Sequence, residues 1–244
     1  MRGILCCLAA LLLLLPPVPA ALAGPWARDP GRVFAAVSAE QDRDGNRYAS
    51  LYAEYGLGRR DTLGLELGDA RGERTILLWW QRALDRAEGP NRWAMSLGLG
   101  AIRRDGRYHP MGQLATAWGR GFDSIPLLRR IPGGGWLTVE SRSKLAALTL
   151  EYPEEPNVVW EDPTYLTPAV THKLDLTLGW QARGDLLLIQ QFRFEQRDDT
   201  GFSGRLAVSA LRDLAGPARL ELGVIAPLTG GGELALKLGS WLEF

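Results

Sequence analysis

Beyond residue 24 the chain alternates apolar and non-apolar positions with period two, while helical periodicity is weak throughout. The last segment shows this best. Leu234, Leu236, Leu238, Ser240, Leu242 and Phe244 share one face, and Glu233, Ala235, Lys237, Gly239, Trp241 and Glu243 share the other. The same dyad recurs at 48–55, 62–68, 93–100, 173–180 and 205–210. The non-apolar face is rich in Gly, Ala, Ser and Thr with sparse charges, unlike the solvated face of a soluble sandwich. Such a face suits a narrow lumen, and the apolar one suits lipid.

Turn-forming residues punctuate the strands at 42–46, 58–61, 69–73, 85–91, 103–109, 121–135, 153–170, 182–184, 198–204, 215–217 and 229–232. These connections predict an all-β fold, a closed antiparallel transmembrane β-barrel of about twelve strands. An even count brings both termini to one side. The weakest expected strand is 136–152, where Glu140, Arg142 and Lys144 share a face. A break near Ser143 would change the count to ten or fourteen. Trp80, Trp93, Trp118, Trp180, Tyr55 and Phe192 are expected near strand ends, at headgroup level.

The N-terminus changes the picture of location. Arg2 precedes an apolar run from Ile4 to Leu15, and a small-x-small site at Ala21 and Ala23 precedes Gly24. This pattern predicts a cleaved secretory signal over 1–23 and a single barrel domain over 24–244. The apolar run is too short for a spanning helix. Cys6 and Cys7 both lie in that leader, so a disulfide framework and a thiolate metal site are excluded for the remainder. Lys and Arg number 28, as do Asp and Glu, leaving no electrostatic footprint for nucleic acid.

The terminal Leu238, Ser240, Leu242 and Phe244 resemble the C-terminal assembly signal of Gram-negative outer-membrane barrels. The runs 52–68 and 173–194 also resemble small barrels of Gram-negative envelopes. The resemblance implies residence in the cell outer membrane, contact with its lipid, and passage through the barrel-assembly machinery.

Candidate chemistry is sparse. His109 is expected in an outer loop and His172 at the outer start of a strand. Neither has a serine two or four residues away, and no Gly-x-Ser-x-Gly elbow occurs. Asp198 and Asp199 read as a solvated turn, and Asp42, Asp44 and Asn46 as a hairpin turn rather than a calcium loop. No catalytic, cofactor-binding or metal-binding residue is therefore assigned, and no cofactor is expected. The functional candidates are charges on the interior face: Glu54, Glu66, Lys173, Asp175, Arg193, Glu195, Arg205, Glu221 and Lys237. They either pair across the lumen or line a solute path.

Three expectations follow, in order. The first is a passive channel or weak transporter for small polar solutes. The second is a structural or partner-binding barrel in an envelope assembly, contacting a partner through 153–170 or 121–135. In the latter, Ile125, Leu127, Leu128 and Ile131 would pack on the barrel mouth. The third, and least favoured, is a lipid- or peptide-hydrolysing enzyme.

Overall fold

Each alternating segment buries one face and leaves its backbone groups to neighbours, so the strands must pair laterally. In the computed structural model, which describes residues 24–244 apart from 71, 87, 105, 150–165 and 215, they pair until no edge remains. The strands are β1 (Val33–Asp42), β2 (Arg47–Gly56), β3 (Asp61–Ala70), β4 (Glu73–Ala83), β5 (Asn91–Arg104) and β6 (Arg107–Gly121). They continue as β7 (Gly135–Thr149), β8 (Leu166–Arg183), β9 (Leu186–Arg197), β10 (Gly201–Asp213), β11 (Ala218–Thr229) and β12 (Ala235–Glu243). Each pairs antiparallel with its sequence neighbours, and β1 pairs with β12 to close the barrel.

The seam runs from Phe34 opposite Glu243 to Asp42 opposite Ala235. It is finished by Phe244, which donates its N–H to the Val33 carbonyl at 2.9 Å and accepts the Val33 N–H at 3.1 Å. Closure satisfies every strand edge, the condition for crossing lipid with β structure.

β7 is continuous through Ser143, so the expected break is absent and the strand count is twelve. Its in-facing Arg142 and Lys144 are compatible with a strand because Asp175 on β8 and Glu66 on β3 pair with them, and Arg142 also contacts Glu140. The expected signal at 1–23, with Ala21 and Ala23, and most of the 153–170 connection lie outside the described residues.

Two expectations are corrected. The turn expected at 103–109 shrinks to the tip between Arg104 and Arg107, and both strands extend. His109 is therefore an in-facing, buried residue of β6 opposite Ile102. A hairpin needs only two tip residues, so the polar run before it remained strand. In the connection between β6 and β7, two single-turn 3-10 segments form at Phe122–Ser124 and Leu128–Arg130. Leu127 is 87% exposed and does not pack on the barrel; Phe122 does instead.

The outer surface is an apolar belt that includes Ile76, Leu78, Leu97, Leu99, Leu114, Leu174, Leu222, Val224, Leu236 and Leu238, all exposed. Trp80, Trp93, Trp118 and Trp180 girdle it at the end holding both termini. Three of them donate ring N–H groups to polar atoms there: Trp80 to Asp61, Trp118 to Asn91 and Trp180 to the Pro132 carbonyl. An apolar ring with one hydrogen-bonding edge suits that boundary. Phe192 departs from the expectation. It lies mid-strand between Leu176 and Leu206, within the belt.

Candidate functional site: the charged lumen

The inner wall narrows where large rings lie against glycines. A Cβ on Gly64 would fall 2.0 Å from the Trp79 ring, and one on Gly179 would fall 2.3 Å from Trp136. Only a residue without a side chain lets these indoles lie flat on the wall. Trp136, Leu187 and Leu211 form one inward apolar cluster, with Trp26, Ile189 and Trp241 packed on it. Leu77, Trp79, Ile102, Met111 and Ala146 form another, with Tyr52.

Trp26 belongs to no strand. Residues 24–32 precede β1 and enter the lumen from the terminal end. Pro25 is fully buried, and a Cβ on Gly119 would fall within 2.7 Å of both Pro25 and Trp26. The Arg28 side chain is only 9% exposed and forms a short ion pair with Glu54, while Glu243 lies 3.5 Å away. Its guanidinium stacks 4.5 Å above the Phe34 ring, and its N–H donates to Thr62 Oγ1 at 3.0 Å. At the inner tip, Gln81 donates to the Gly24 carbonyl at 3.2 Å.

Beyond this plug, charges pair across the barrel at two levels. At mid-lumen Lys144 on β7 reaches Glu66 on β3 at 2.9 Å, and Arg142 contacts Glu66, Glu140 and Asp175. Arg193 on β9 reaches Glu40 on β1 at 3.2 Å and donates to Gln191. Lys237 pairs with Glu221 at 2.7 Å, and Trp241 donates to the same carboxylate. At the far mouth Glu73 on β4 holds Arg104 at 2.7 Å and Arg197 at 2.9 Å. Arg197 also holds Asp199, and Lys173 pairs with Glu195 at 3.0 Å. Hydrogen bonding from Arg197 keeps the Asp199 carboxyl below the usual carboxylate range, against a smaller opposing effect of burial.

Eight of the nine charges expected in the lumen thus have partners: Glu54, Glu66, Lys173, Asp175, Arg193, Glu195, Glu221 and Lys237. Arg205 is exposed, with no ion pair among the described residues, and its guanidinium lies 3.8 Å from where a Cβ on Gly232 would be. Sequence reasoning missed Arg28, Glu40, Glu73, Arg104, Arg197 and Asp199 as lumen partners. Alternation would have placed the four on strands facing inward. Nothing local marks residues 24–32 as a plug.

Cavities in the lumen include one of about 130 Å³ and one of about 20 Å³. The larger is lined by Trp136, Trp241, Gln191, Arg193, Glu221 and Lys237, among others. Gly24 and Glu140 line both.

The outer face holds one pairing that spacing along the chain could not reveal. Ser143 and His172 are directly opposite on β7 and β8, with Oγ to Nδ1 at 2.8 Å. The histidine thus gains a serine partner across strands, not at i±2 or i±4. On a lipid-facing wall the two satisfy each other's polar groups. At the turns, Asp42 accepts from the Asn46 backbone and side chain at 2.8 and 2.9 Å, as a hairpin requires. Among the described residues no group of His, Cys, Asp and Glu could hold a metal ion.

No family model matches the chain, and no curated protein matches its sequence. Solved structures do resemble it. An outer-membrane channel from Pseudomonas putida F1 superposes with a TM-score of 0.57 at 10% identity, covering 93% of this chain and 100% of that one. The KdgM porin superposes with a TM-score of 0.52 at 8% identity, covering 86% of this chain and 99% of that one. At such identities the likeness concerns architecture. Together with the closed twelve-strand sheet and its apolar belt, it shows that the chain has the fold of outer-membrane β-barrels.

Proposed function

We propose that this barrel is a passive, low-conductance conduit for small polar solutes, with residues 24–32 as a removable plug in its lumen. One observation carries the reading. Among the described residues, 24–30 form no backbone-to-backbone hydrogen bond with a strand, and only Gly31 and Arg32 bond to Gly56. The segment is held by Arg28 and by the packing of Pro25 and Trp26, so its lumen part can leave without breaking a strand pair. The charged lumen beyond it and the cavities it borders support the same view. So do the similar barrels, a porin and an outer-membrane channel.

The test is planar-bilayer recording on the refolded barrel and on a variant lacking residues 25–31. The variant should show discrete steps several-fold larger and more frequent than the parent. Arg193→Ala should shift the step size in the deleted background. Silence from both proteins would end the proposal.

Biogenesis follows the same reading. Export on a leader cleaved after Ala23 delivers the chain to the periplasm. Leu238, Ser240, Leu242 and Phe244 then present the signal that assembly machinery reads. Two features support this: Leu238 and Phe244 are both exposed on the outer face, and Phe244 completes the seam with Val33. An envelope partner would dock on the exposed ledge around Leu127 or on the 153–170 connection.

A further inference from the structure

We propose that cleavage after Ala23 creates the last cation of the lumen, the α-ammonium of Gly24, and that Glu140 receives it. The inference rests on the plug and on the leader, but not on conduction.

Charge balance motivates it. At mid-lumen three carboxylates, Glu66, Glu140 and Asp175, share two cations, Arg142 and Lys144. Lys144 pairs with Glu66 alone, while the one Arg142 guanidinium is divided among Glu140, Asp175 and Glu66. Among the described residues Arg142 Nε, at 3.3 Å, is the only ion-pair partner of Glu140. The Glu140 side chain faces the lumen and is 32% exposed there, which leaves room for a further partner, and one more cation would balance the cluster.

Position supplies the candidate. Gly24 lies at the inner tip of the plug and shares both cavities with Glu140. Its backbone lies against Thr138, with 2.9 Å from a Cβ built there to the threonine methyl. Thr138 and Glu140 are successive in-facing residues of β7. In the precursor the nitrogen at this point is a neutral amide. After cleavage it is an amine, whose ordinary pKa near 7.7–8.0 leaves it mostly protonated at neutral pH. Seating of the plug is thereby coupled to processing. The precursor lacks the charge.

The experiment uses protein extracted from outer membranes. Intact mass and N-terminal sequencing fix the first residue. An amine-acylating reagent is then applied at neutral pH to folded and urea-unfolded samples, with peptide mapping to separate Gly24 from Lys144, Lys173 and Lys237. The folded parent should label at Gly24 at least tenfold more slowly than the unfolded chain. Glu140→Gln should lose most of that protection and keep the heat-dependent gel shift of a folded barrel. If that variant fails to fold, insertion of two alanines between Ala23 and Gly24 tests the same point by displacing the new amine. A first residue other than Gly24 would overturn the inference. So would free labelling of Gly24 in the folded parent, or full protection of the amine in the variant made. None of these readouts involves current, so a failure of conduction leaves them intact.

Discussion

Arg28→Ala separates a plug from a piece of the wall. The Arg28 and Glu54 side chains are 9% and 6% exposed, so the substitution strands an enclosed carboxylate. Removing one partner of a buried pair costs about 3–5 kcal/mol. Glu54 keeps the Tyr52 hydroxyl as a donor at 2.6 Å, which argues for the lower end. The more exposed contact to Glu243, at 3.5 Å, adds at most about 1 kcal/mol. The strands on either side pair through backbone groups that the substitution does not touch. The cost therefore falls on the seated plug, and about 3 kcal/mol lowers the seated-to-unseated ratio by roughly 150-fold. In bilayer recordings the high-conductance state should gain occupancy accordingly, while the heat-dependent gel shift persists. Adding Glu54→Ala removes the stranded charge and should restore part of the seating. Unchanged occupancy, or a double variant no better than the single one, would refute the electrostatic argument. Loss of the folded band would show that Arg28 supports the wall instead.

The remaining expectations test the two faces. Leu99 is 78% exposed in the apolar belt, opposite Leu78, and Leu99→Arg should destabilise the barrel in lipid by about 2–4 kcal/mol in urea titration. A change below about 0.5 kcal/mol would mean that this face does not meet hydrocarbon. Ser143→Ala and His172→Ala should leave ester- and phospholipid-hydrolysis assays at background, as for the parent. Turnover that disappears in both variants would instead make the 2.8 Å pair an acyl-transfer site.

The barrel was legible in the chain because a strand's side-chain period is two, and that period requires no partner to be known. Leu174, Leu176 and Leu178 against Lys173, Asp175 and Thr177 already assign outside and inside, and the structure keeps that assignment. The seam at Val33 and Phe244 is set by tertiary pairing, whereas inward residues such as Glu66 and Lys237 follow from the same rule. Pairing across the lumen does not. Arg193 and Glu40 are 153 residues apart, and Arg197 and Glu73 are 124 apart. Only the curvature and stagger of the closed sheet bring such residues together. His172 finds Ser143 for the same reason, through register between neighbouring strands. The plug is furthest from the sequence. Residues 24–32 have no periodicity, and their place is decided by the lumen space left when the Trp136 and Trp79 rings lie flat on the glycines that face them, which exists only once the cylinder has closed. Local alternation thus determined which way each side chain points. Tertiary structure decided which charges meet and what fills the lumen, because those depend on distances across a closed sheet.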